Sequence, residues 1–113
     1  MITVNITINR DTRECSLLVK GHAGQAEQGQ DIVCAAASIL AYTAAQRIKD
    51  IEREGGLAIS PVIIMNDGDA VISCLAKDEV PFEDVLHTML VVQTGYSLLV
   101  HNYPQYVGLK IVD

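Results

Sequence analysis

The segment GHAGQAEQGQDIVC, residues 21–34, places a histidine and a cysteine on either side of glycine, small and polar residues. A thiol becomes a strong nucleophile once it loses its proton, and imidazole is the side chain best matched to that proton near neutral pH. His22 and Cys34 therefore have the chemistry of a base and a nucleophile. The thiolate attacks a carbonyl, and the same imidazole later protonates the leaving group. About eleven residues separate the pair, ample for the chain to fold back to contact. Gly24 and Gly29 give that connector access to unusual dihedrals, so it can also act as a flap over an extended peptide.

Directly after the connector comes the most helix-like part of the chain. With Asp31 as N-cap, its carboxylate accepts from the amide of Val33 or Cys34, and Cys34 falls in the first helical turn. The unpaired amides and positive dipole end there favour an anion such as a thiolate. They are also candidates for an oxyanion hole. The capping carboxylate opposes the thiolate, so the dipole is incomplete by itself, and a His22 imidazolium supplies the missing charge. Ser38 lies one turn beyond Cys34 on the same helical face, where its hydroxyl can line a substrate pocket together with Asp31. A packing role competes: cysteine commonly buries as a small hydrophobe, and Ala35, Ala36 and Ala37 are suitable company. His22 is equally at home as an ordinary turn residue. Spacing alone does not choose between these readings.

The elements that must position the pair follow from periodicity. Ile2, Val4, Ile6 and Ile8 alternate with polar residues as a half-buried strand. A turn at Arg10–Thr12 leads to a second strand with Cys15, Leu17 and Val19 on one face, its alternation imperfect at Leu18. From Ile32 the period becomes helical, with Ile32, Ala36, Ile39, Leu40, Ala44, Ile48 and Ile51 recurring until Gly55-Gly56. Residues 57–65 read as a strand that Pro61 assigns to an edge or bulge. Asp67-Gly68 then signals a hairpin into a strand over 70–76. Pro81 suits a first helical turn, and Phe82, Val85, Leu86, Met89, Val92, Tyr96, Leu99 and Val100 form the stripe of a second long helix. Gly95 interrupts that stripe at a cost of about 1 kcal/mol. After Pro104, residues 106–112 supply a last strand. The order ββαββαβ predicts an α+β fold, two long helices packed on a mainly antiparallel sheet.

Bulk properties narrow the function. At 113 residues, half of them hydrophobic, the chain is expected to form a single domain, 1–113. Fourteen acidic against 8 basic residues give a net charge of −6, which argues against a nucleic-acid partner. No apolar run approaches the roughly 18 residues of a membrane span. The first residues lack the pattern of a signal peptide. Cys15, Cys34 and Cys74 are odd in number and widely spaced, as suits free thiols in a reducing cytoplasm.

No cofactor is expected. The glycines of GHAGQAEQGQD match neither the phosphate-loop nor the dinucleotide fingerprint. A metal site drawn from Cys34, His22, Cys15, Cys74, His87 or His101 lacks close ligand spacing, so no metal is expected either. Cys15 and Cys74 read as strand packing residues, and His87 and His101 as a solvated face or core edge. On the second helix Leu90, Val91 and Leu98 leave apolar surface for a partner.

The segments GHA at 21–23, DIVCAAAS at 31–38 and NYPQYV at 102–107 resemble the ribosomal-processing cysteine protease family, Prp. The similarity in organisation spans essentially the whole chain. It implies a Cys/His dyad on Cys34 and His22, a homodimer, and removal of an N-terminal extension from a bacterial ribosomal large-subunit protein. Similar sequences among phage structural genes imply capsid or scaffold proteins as the alternative substrate. Ala37 departs from the pattern, standing where a larger aliphatic residue is expected. The reading is a cytoplasmic cysteine endopeptidase acting on an extended peptide segment, and its rival is a non-enzymatic peptide-binding or assembly module.

Overall fold

The computed structural model describes the backbone of residues 1–22 and 28–113, and their side chains other than those of 28–31. Alternation builds the first hairpin as the pattern predicts. In β1 (Ile2–Asn9) every second side chain is buried, and β2 (Glu14–Lys20) pairs antiparallel with it, Ile6 opposite Leu17 and Ile8 opposite Cys15. Burying a side chain such as Ile6 or Leu17 stabilises the fold by about 1.5–3 kcal/mol. The turn between the strands is held by Asn9 Oδ1, which accepts from the amides of Asp11 and Thr12 at 3.1 and 3.2 Å.

The second hairpin forms from β3 (Val62–Asn66) and β4 (Asp69–Leu75), joined through Asp67-Gly68 as expected. The β3 strand is shorter than the 57–65 reading. Leu57 makes an isolated bridge to Ala76, and regular pairing starts only after Pro61, because proline cannot donate to a ladder. Sheet order is β3-β4-β2-β1-β5, with β3 on an edge as Pro61 suggests and β5 (Val107–Val112) on the other. Three of the four pairings are antiparallel; β5 runs parallel to β1, which makes the sheet mixed.

Two helices cover one face of this sheet. Helix α1 (Gln28–Arg53) packs on β4 and β2, and α2 (Glu79–Asn102) packs on β5, β1 and β2, with the two helices against each other. The α2 stripe buries Phe82, Val85, Met89, Val92, Tyr96 and Leu99 as its spacing predicts. Gly95 lies at the helix–helix contact, where a Cβ would meet Leu40 Cδ2 at 2.5 Å. Its helical cost therefore goes with a close approach of the two helices.

The buried face of α1 differs from the predicted one. Ile32 and Ile39 are exposed, and the buried stripe is Val33, Ala37, Ala41, Ala44, Ala45, Ile48 and Ile51. Apolar residues surround the first half of this helix, so several faces fit a helical period. Small side chains win the inner face because they let α1 approach its neighbours closely. The break in alternation at Leu18 also finds its reason. Leu18 stands opposite Val71, which stands opposite Ile64, so apolar side chains meet across the open face of the sheet. Among the described residues no helix is long and apolar enough to cross a membrane.

Candidate active site

His22 and Cys34 lie on the lining of one cavity at an end of the sheet. The cavity, of about 280 Å³, is formed by the end of β2, the tip of the β3–β4 hairpin and one face of α1. Ile2 and Val19 contribute its apolar floor, and Asn66, Asp67 and Asp69 its polar wall.

Each side chain is placed by a local feature. Beyond β2 the backbone turns at Gly21, whose φ of 96° lies in the left-handed region and whose Cβ position would collide with the Met1 carbonyl oxygen. That turn projects His22 toward the hairpin tip. Its imidazole rests on Gly68, where an added Cβ would fall against Nε2 and within 2.8 Å of Cε1. The Gly21 amide donates to the Gly68 carbonyl at 2.9 Å and ties the two segments together. Cys34 is half-buried on α1, with Ser38 and Tyr42 following at intervals of four on the same cavity wall.

Helix α1 begins at Gln28, so Asp31 lies inside it rather than capping it, and Gly29 is helical rather than part of the connector. The side chain of Asp31, and Gly24 with the rest of the proposed flap, lie outside the described residues. Cys34 is thus nearly two turns from the helix start. The unpaired amides belong to the first four helical residues, and the Cys34 amide is committed to the helix ladder. Dipole stabilisation falls off beyond the first turn. The first-turn amides are therefore not those of Cys34 itself. His22 is the one side chain able to carry positive charge among the described residues lining the cavity. Asp67 and Asp69 give the opposite wall negative charge. Asp69 Oδ1 is buried and accepts no hydrogen bond among the described residues.

Tyr42 and the hairpin residues were absent from the sequence-based site. Tyr42 was legible in principle, since it continues the fourfold spacing from Cys34 and Ser38. The hairpin tip had no signal beyond its turn, because only long-range pairing of β4 with β2 brings it to His22.

The other thiols are separate from this cavity. Cys15 and Cys74 are buried opposite each other in β2 and β4, as packing residues. Burial pushes the Cys15 thiol up to about 12 and the Cys74 thiol up to about 11. Alkylation proceeds through the thiolate. Iodoacetamide at pH 8 is therefore expected to modify Cys34 in the folded protein while sparing Cys15 and Cys74, and to modify all three in urea. Peptide mapping reads the result; equal labelling of the folded thiols would contradict it. The raised values also set a sign. Between the ordinary thiol value of 9.0 and these higher ones the unfolded chain binds fewer protons, so stability is intact below pH 9 and falls as pH rises toward 11–12. His87 and His101 are exposed on α2.

The family model described as cysteine protease Prp matches residues 1–108. The ribosomal processing cysteine protease Prp of Staphylococcus aureus is 39% identical over 54 residues, 48% of this chain and 51% of that protein. The chain thus spans about half the length of the curated relatives it matches. Among solved structures, SMU.848 from Streptococcus mutans superposes with a TM-score of 0.66 at 26% identity, covering 99% of this chain and 94% of that one. An essential ribosomal processing protease Prp from Staphylococcus aureus, in complex with a covalently linked product peptide, gives a TM-score of 0.65 at 29% identity, covering 98% and 99%.

Proposed function

The chain belongs to the cysteine protease Prp family, and from that premise we propose that it is a thiol endopeptidase with Cys34 as nucleophile and His22 as general base, then general acid. The observation that carries this reading is the shared cavity, whose lining includes the half-buried Cys34 and, as the one cation-capable group among the described residues, the imidazole of His22.

His22 takes the Cys34 proton, and the sulfur bonds to the carbonyl carbon of the scissile peptide. The tetrahedral intermediate collapses as the imidazolium protonates the leaving amine, the C–N bond breaks, and a thioester remains. His22 then takes a proton from water, the hydroxide adds to the thioester carbonyl, the C–S bond breaks to release the acid, which ionises to solvent, and the imidazolium returns its proton to the sulfur. An extended segment suits a cavity open at the end of the sheet. The proposed substrate is the N-terminal extension of a bacterial ribosomal large-subunit protein, supported by the ribosomal processing named for the similar Staphylococcus aureus proteins.

The test incubates wild type and Cys34→Ala with N-terminally extended ribosomal large-subunit proteins and, separately, with phage capsid or scaffold precursors. Mass spectrometry should show a shortened ribosomal protein with wild type only. Cleavage confined to the phage precursors moves the substrate to the alternative class. Binding without cleavage by either form replaces the enzyme with a peptide-binding module.

A cytoplasmic homodimer completes the proposal. Val91 and Leu98 are 70% and 58% exposed on α2 and Leu90 lies beside them, an apolar strip suited to a second copy. Sedimentation should find a dimer for wild type and a monomer for Val91→Asp/Leu98→Asp. A monomeric wild type would remove this part of the reading.

A further inference from the structure

We infer that Gly68, at the tip of the β3–β4 hairpin, is a positioning residue for His22: its bare backbone is the seat on which the imidazole rests. The inference depends on the dyad proposed above and adds what holds its base in place.

His22 is exposed, so no surrounding core fixes its ring, and an unsupported imidazole samples several rotamers. The hairpin tip supplies the support. All three heavy atoms nearest to a Cβ built on Gly68 belong to this ring, with Cε1 at 2.8 Å and Cδ2 at 3.2 Å. Any side chain at 68 therefore occupies the imidazole's place. The hydrogen bond from the Gly21 amide to the Gly68 carbonyl, 2.9 Å long, sets the height of the His22 backbone over this seat. The two contacts together define ring and backbone relative to one turn.

Gly68 also has a φ of 72°, and a glycine kept only for that dihedral is the competing explanation. The two make different demands. A left-handed φ is tolerated by asparagine, whereas the seat excludes any Cβ. Gly68→Asn should therefore keep the turn and lose the seat. Asp67 and Asp69, the charged groups flanking the glycine, are unchanged in this variant, so an altered pH response comes from ring placement.

The experiment measures the rate of Cys34 alkylation by iodoacetamide against pH in wild type, Gly68→Asn, His22→Ala and the double variant, with thermal unfolding as a check on the fold. Gly68→Asn is expected to unfold within a few degrees of wild type. Its pH profile should move toward that of His22→Ala, with a roughly 10-fold or greater loss of rate near neutrality. The double variant should match His22→Ala, because a residue acting through the imidazole has nothing to add once it is gone. A folded Gly68→Asn with a wild-type profile, or an additive double variant, overturns the inference and leaves the dyad standing. An unchanged profile in His22→Ala overturns the dyad itself, and the inference with it. A second measurement needs no variant: wild type should show a nuclear Overhauser effect between the Gly68 α protons and the His22 ring ε1 proton. Its absence also overturns the inference.

Discussion

Replacing Cys34 by alanine is expected to lower peptide cleavage by at least about 10⁴-fold, and replacing His22 by alanine by about 10²–10⁴-fold. In the proposed dyad the imidazole acts through the thiol, so the double variant should be no slower than Cys34→Ala. Cys34→Ser is expected to fall with Cys34→Ala, because a serine hydroxyl holds its proton far more tightly than a thiol does. The comparison discriminates because Cys34 is half-buried. Truncating it removes little core, and thermal unfolding of Cys34→Ala should stay close to that of wild type. Steady-state cleavage of a substrate peptide and calorimetry on the same samples check both halves. A large loss of stability with modest loss of cleavage would return Cys34 to the packing role. Full activity in His22→Ala would spare the thiol and remove its base.

The second large effect concerns the frame rather than the chemistry. Tyr96 is fully buried on α2, and its hydroxyl donates to the carbonyl of Ala37 on α1 at 2.8 Å. Burial raises its ionisation well above the ordinary phenol range, so the hydroxyl stays a donor throughout the working pH range. Ala37 lies one turn from Cys34 and lines the same cavity, so this bond couples α2 to the segment of α1 that presents the thiol. Tyr96→Phe keeps the ring and loses the bond, a cost of about 1 kcal/mol. Tyr96→Ala also leaves a large cavity, for about 3–5 kcal/mol in total. At roughly 4 °C per kcal/mol for a domain of this size, thermal midpoints should drop by about 4 °C and about 12–20 °C. A Tyr96→Phe protein as stable as wild type would show that the helix carbonyl gains nothing from its second donor.

These two expectations draw on different kinds of information. The stripe that buries Tyr96 is legible from spacing, because a long apolar helix has one repeat and one way to satisfy it. The same logic fails on α1, where alanines and isoleucines surround the helix and small residues take the inner face over Ile32 and Ile39. The helix also starts earlier than its cap signal implies, for a related reason. Asp31 is a good cap by type, but Gln28 to Gln30 are already helical, and a local signal cannot show how far a helix extends past a permissible beginning.

Residue chemistry and period thus determined the order of the described elements and the α+β class, and put forward Cys34 and His22 as candidates. These are short-range properties, set by alternation, turn residues and side-chain reactivity. Only the tertiary structure decided that β5 returns parallel beside β1, that β4 pairs with β2, and that the β3–β4 tip arrives beneath His22. Those contacts join residues far apart in the chain, and their strength comes from burying faces that no single segment can bury alone.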